Sequence, residues 1–150
     1  MNTAFLNSIN NDLMGILKTR YAFDHNKVLA LSEAGRSSLI NSLKQFVLKN
    51  GTPEIEAILL EQKKFSESPL QAHCYKGFEN DLKDKNLLPK EQIKEVAEYS
   101  INFLIDRFRI GFRDSGLSRD LDGICKFLDI DKNIVKLANS PMAKMFGKFF

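Results

Sequence analysis

Residues 89–113 read PKEQIKEVAEYSINFLIDRFRIGFR, and within them Ile93, Val96, Ala97, Ile101, Leu104, Ile105, Phe108 and Phe112 recur at helical spacing. A period near 3.6 residues gathers these side chains on one face of an α-helix and sends most of the charged residues to the other. Pro89 suits the first turn of such a helix, and Ser115-Gly116 suits its end. This is the longest clean apolar stripe in the chain. The segments on either side each carry one shorter stripe, so they need a common partner, and residues 89–113 are expected to form the central helix.

The same period extends outward from that stretch. Leucine (19) and isoleucine (12) dominate the apolar residues while valine (4) and threonine (3) are scarce, and no apolar/polar alternation is sustained. Strands are therefore not expected, and the fold class is all-α. A first helix is expected after Thr3 as N-cap, with Phe5, Leu6, Ile9, Leu13, Ile16 and Leu17 on one face, ending near Thr19. A second runs from Asp24 to about Lys49 and stops at Asn50-Gly51. Gly35 inside it costs about 1 kcal/mol against alanine, which points to a close helix crossing. Thr52-Pro53-Glu54 and Ser68-Pro69 each read as a cap followed by a first-turn proline. Ser66-Glu67-Ser68 separates the two helices and allows a hinge near 66–68. Ser118 is expected to cap a helix with Leu121, Ile124, Cys125 and Leu128, Asp131 a further one with Ile134, Val135 and Ala138, and Ser140-Pro141 to open a last amphipathic segment. The expectation is one multihelical domain over residues 1–150, with about seven helices around the 89–113 helix.

Composition limits function. At 150 residues, 43% hydrophobic and 27% charged, the chain can bury roughly 68–70% of its unfolded surface and needs neither disulfide nor structural metal. No apolar run approaches the roughly 18 residues of a membrane-spanning helix, and the amino end lacks a signal-peptide layout, so the expected address is the cytoplasm. Cys74 and Cys125 lie far apart without a CxxC motif, as in a reducing compartment. His73-Cys74 is the one hint of metal chemistry. Neighbouring helix residues point about 100° apart, so burial of Cys74 is the stronger reading and no metal or cofactor is expected. There is no Gly-rich phosphate loop, GxSxG or HExxH. Glu79 and Asp81 near His73 would require acid, base and nucleophile to be assembled from separate helices, so the chain reads as a non-enzyme.

Two segments invite a partner. Residues 132–150 hold four lysines and no acid, although the formal net charge of the chain is only +3. Within 142–150 are Met142, Met145, Phe146, Phe149 and Phe150, the candidate interaction surface. Such a segment packs on its own core, on a second copy of the chain, or on an anionic membrane, in that order for so short a stretch. The other segment, 118–139, has the apolar spacing of a helix-turn-helix with Asp129 in place of the turn glycine. If it read nucleic acid, Lys132, Asn133, Lys136 and Asn139 would face the groove. Asp129 and Asp131 oppose that, and simple helix packing explains the same spacing. Arg107, Arg109 and Arg113 alternate with Phe108, Ile110 and Phe112, but helical geometry places Arg109 and Arg113 together on a solvated face near a helix C-terminus.

The order of these signals resembles the YidB-like helical proteins of bacteria, particularly the shorter members that end in an apolar, glycine-containing tail. The stretches that carry the resemblance are His25-Asn26, Ser32-Glu33-Ala34, Ser38 to Lys44, Ser68-Pro69-Leu70, Asp81 to Leu87, Asp120 to Ile124, and Met145 to Phe150. The resemblance implies a multihelical fold and transfers no catalytic residue. The leading functional expectation is a protein interaction or self-association module that uses its C-terminal segment. Nucleic-acid binding through 118–139 is the alternative.

Overall fold

The computed structural model describes residues 3–133 and residue 136. Among these are six α-helices, one short 3-10 turn and no strand, and no helix is long and apolar enough to cross a membrane. Helix α1 spans Thr3–Tyr21 and α2 His25–Asn50. Thr3 starts α1 instead of standing before it, and the helix outruns Thr19 by two residues. It ends where Ala22 adopts a left-handed φ of 55° and its N–H closes on the Lys18 carbonyl at 3.0 Å. Asp24 caps α2 by accepting the Lys27 N–H at 2.8 Å, and Gly51, at φ 80°, stops it. Both ends of α2 follow from side-chain chemistry that is visible in the sequence.

Helix α3 spans Pro53–Leu59. Thr52 before it is itself helical in backbone and makes no side-chain cap, so Pro53 alone starts α3. A 3-10 turn, Phe65–Glu67, leads into α4, Pro69–Asp84. The Ser68 hydroxyl accepts the Leu70 N–H at 3.1 Å and donates to Glu54 at 2.8 Å, while Lys63 donates to the same carboxylate at 3.1 Å. These bonds, Ser68 foremost, hold the Glu54 carboxyl below the usual range. They also tie the 66–68 segment to α3 on one side and α4 on the other.

Helix α5, Lys90–Asp114, is the predicted central helix. It packs against α1, α2, α3 and α4. Ile101, Leu104, Ile105 and Phe108 are each at most 1% exposed. Helix α2 shares the centre, packing against α1, α4 and α5. Gly35 explains how the three helices meet: a Cβ there would stand 3.2 Å from the Phe78 ring of α4 and 3.6 Å from a Leu104 methyl of α5. The cost of that glycine is thus offset by a close crossing, as its position suggested.

Helix α6 spans Leu121–Leu128. Its cap is Asp120, not Ser118: Asp120 accepts the Gly123 N–H at 3.0 Å, and Ser118 instead donates to that carboxylate at 2.6 Å. After it, Asp129 turns left-handed at φ 54° while the Ile130 N–H reaches the Cys125 carbonyl at 2.9 Å, a Schellman ending. Asp129 therefore takes the left-handed position that a turn glycine would ordinarily occupy. Asp131 accepts the Asn133 N–H at 2.8 Å, as expected of a cap. Ile134, Val135, Ala138 and the segment from Ser140-Pro141 onward lie outside the described residues.

Leu104 is fully buried where α2 and α5 cross. Truncating it removes burial and leaves a cavity, so Leu104→Ala is expected to cost about 2–5 kcal/mol, out of a typical total of roughly 5–15 kcal/mol. A chemical-denaturation midpoint unchanged in this variant would contradict the placement of the α5 stripe.

Candidate interaction surface

A surface groove opens where α1, the C-terminal half of α5 and α6 meet. Gly111 on α5 makes the meeting of α1 and α5 possible, because a Cβ there would run into the Phe5 ring of α1. Phe5 then reaches Phe108 of α5 and Phe127 of α6, with ring centroids 6.1 and 5.5 Å away. Phe127 also stands edge-on to Phe108 at 6.2 Å and to Phe112 at 5.5 Å. Tilted and edge-to-face pairs of this kind set the electropositive edge of one ring against the electronegative face of another. The four rings fasten a short α6 to the two long helices.

The chain reaches α6 through a tight corner. The Ser115 hydroxyl donates to the Phe112 carbonyl at 2.7 Å and accepts the Leu117 N–H at 3.1 Å. Gly116 occupies φ 74°, a region that suits glycine. The corner leaves an opening beside the ring cluster, a groove of about 550 Å³. Phe5, Ile9, Ile110, Leu117 and Phe127 line it, and Asp12, Arg107, Asp114 and Lys126 stand around them. Ile110 is 41% exposed. Asp12 and Arg107 pair at 3.5 Å across the α1–α5 seam, both nearly half open to water. An apolar floor with a charged rim is the usual make-up of a protein-binding surface.

The residues singled out in the sequence fall in several places. Met142, Met145, Phe146, Phe149, Phe150 and Asn139 lie outside the described residues. Lys132 pairs with Asp122 of α6, and that hydrogen bond raises its pKa. Asn133 and Lys136 are exposed. The arginines of α5 do not form a common solvated strip. Arg107 pairs with Asp12 and lies over the Phe103 ring at 5.1 Å. Arg113 is within 3.9 Å of Glu61 and 3.3 Å of Asp114. Arg109 departs from expectation: its side chain is only 28% exposed, 3.6 Å from Asp106, and its Nε is buried without a hydrogen-bond partner. Phe5 and Ile9 read in sequence simply as part of the first helix's apolar face, and Phe127 carries no signal of its own there, because nothing local shows that α1 and α6 leave a gap between them.

The other candidates, His73 and Cys74, lie on α4. Cys74 is fully buried, and burial pushes its thiol up to about 12. The neighbouring His73 ring lies against Phe46 at 5.6 Å. Among the described residues, no three His, Cys, Asp or Glu side chains converge to hold a metal ion. Comparison of the chain with models of protein families, with curated proteins and with solved structures finds no match.

Asp120 positions the α6 wall of the groove, and Ser118 followed by the Gly123 amide holds its carboxyl below the usual range. A carboxylate with a depressed pKa stabilises the fold above the ordinary Asp range, and that stabilisation disappears as pH falls through the lowered value. Hydrogen exchange at the Gly123 amide, corrected for its intrinsic rate, is therefore expected to speed up in acid and to be fast already at neutral pH in Asp120→Ala. A Gly123 amide equally protected in parent and variant would show that this cap does not hold the helix start.

Proposed function

We propose that this protein is a non-enzymatic protein interaction module that self-associates through its apolar C-terminal segment, with Met142, Met145, Phe146, Phe149 and Phe150 as contact residues. The observation that supports this most is the open groove between α1, α5 and α6, with Ile110 and the edges of a phenylalanine cluster facing it. Single exposed leucines such as Leu29 and Leu48 of α2 are ordinary. The groove sets an apolar floor inside a charged rim, the arrangement found at many protein-binding surfaces. The chain also carries a segment, 142–150, with five large apolar side chains and no acid. It thus holds the materials for both sides of a contact. The deeply buried Cys74 thiol, raised to about 12, is unsuited to act as a nucleophile, which favours binding over catalysis. The resemblance to YidB-like proteins implies no activity and weighs slightly against nucleic-acid binding.

Nucleic-acid binding through 118–139 has less support. Lys132 is already paired with Asp122, and a phosphate would have to displace that carboxylate. Titration with DNA at low salt, where release of counterions favours binding most, tests this second reading. Saturable binding that survives physiological salt would revive it.

Sedimentation equilibrium of the full chain beside Phe146→Asp/Phe149→Asp tests the main reading. The parent is expected to associate as concentration rises, and the double variant to remain monomeric. Association unchanged by the two substitutions would show that the segment is not the contact.

A further inference from the structure

We infer that the hollow between the 64–66 segment, the start of α4 and the middle of α5 is a binding site for a phosphate group, free or carried as the monoester of a small molecule. It shares no residue with the groove between α1, α5 and α6 and does not depend on the self-association proposed above.

Three parts of the chain build the site. Asn102, Asp106 and Arg109 stand at steps of four and three, on one face of α5. Lys64 and Ser66 line the same hollow from the segment before α4, and Gln71 lines it from the first turn of α4. The hollow holds about 320 Å³, at the small end of the roughly 300–1,000 Å³ of ligand sites. Ser68 and Lys63, both bonded to Glu54, hold the segment in place. Lys63 is thereby committed, and Lys64 is the lysine left for a ligand.

The lining is rich in donors that lack acceptors. The side chains of Lys64, Ser66 and Gln71 have no hydrogen-bond or ion-pair partner among the described residues. The Tyr75 hydroxyl donates to Asn102 Oδ1 at 2.8 Å, which leaves the Asn102 amide N–H groups for the hollow. Arg109 carries the deciding atom. Its Nη1 stands 3.6 Å from Asp106, an ion pair longer than a hydrogen bond, and on the opposite edge of the guanidinium its Nε is buried with no acceptor. Buried donors ordinarily have a partner, because one left unpaired opposes folding. Nε and Nη2 share that edge, and a phosphate meets such an edge with two oxygens. Since Nε is closed from solvent, the ligand engages it through a small turn of the guanidinium, which the exposed Asp106 can follow. Two cations against one carboxylate leave the hollow net positive. A phosphate group brings three acceptor oxygens to these donors, where a carboxylate brings two.

The probe is inorganic phosphate, titrated into the full chain at constant ionic strength with chloride as the balancing ion. The readout is the proton–nitrogen magnetic resonance of the Arg109 Nε–H and of the Lys64, Phe65 and Ser66 amides. These signals are expected to shift together and to saturate. Arg109→Gln is expected to weaken binding about tenfold or more, as the loss of a charge-assisted pair implies. Ser66→Glu, at an exposed position, places a carboxylate in the hollow and is expected to abolish binding with the fold intact, so it carries the test if Arg109→Gln does not fold. Glycerol phosphate separates the two sources: tighter binding than inorganic phosphate assigns the site to an ester, equal or weaker binding assigns it to the free anion, and either supports the site. Shifts that grow without saturating, saturating shifts confined to other parts of the chain, or an affinity unchanged in a folded variant would overturn it. Acetate that moves the same signals as strongly as phosphate would overturn the assignment to phosphate.

Discussion

Three helices meet over one missing side chain. At Gly35 the backbone of α2 is bare, and into that space come the Phe78 ring of α4 and a methyl of Leu104 from α5. Because α2 and α5 are each about 37–39 Å long, the point where they cross decides where their ends lie. Fixing the crossing near the middle of both sends the C-terminal end of α5 beyond the α2–α4 pair. There Phe108 and Phe112 find α1 and α6. A larger residue at 35 would push α4 and α5 outward and move every contact downstream of the crossing.

The groove is a consequence of that geometry at its least supported end. An eight-residue helix such as α6 is too short to persist alone. It is held by a cap at Asp120, a Schellman ending at Asp129 and the Phe127 ring set among Phe5, Phe108 and Phe112. Those rings, with packing against α3, hold α6 and leave the space between it, α1 and α5 open.

The charged residues tell a complementary story. Arg107 is paired with Asp12 and Lys132 with Asp122, and Arg113 lies within reach of two carboxylates. Exposed pairs like these add little stability each, yet they use up cations that would otherwise form a basic surface. Sequence spacing alone could not reveal this, because the partners of Arg107 and Arg113 include Asp12 and Glu61, on other parts of the chain. Arg109 was harder still to place: its helical position suggests solvent, and only the approach of the 64–66 segment and α4 narrows its exposure.

The helices themselves were largely written in the sequence, since their causes are local. Apolar spacing marked the α5 stripe, Asp24 and Ser68 marked two starts, Pro53 a third, and Gly51 a stop. The α6 cap was misplaced by two residues because both Ser118 and Asp120 are capping residues, and only the folded corner shows the serine serving the aspartate. The all-α class likewise needed nothing beyond composition and period. The groove is different, because it is a property of empty space. Phe5, Ile9 and Phe127 belong to apolar stripes that look the same whether the stripe is covered or open. Whether it is covered depends on how α1, α5 and α6 meet, and Gly111 and the ring cluster bring those helices together from distant parts of the chain. Local pattern determined which residues became helix and which faces became apolar; long-range packing decided which part of an apolar face was left uncovered among the described residues.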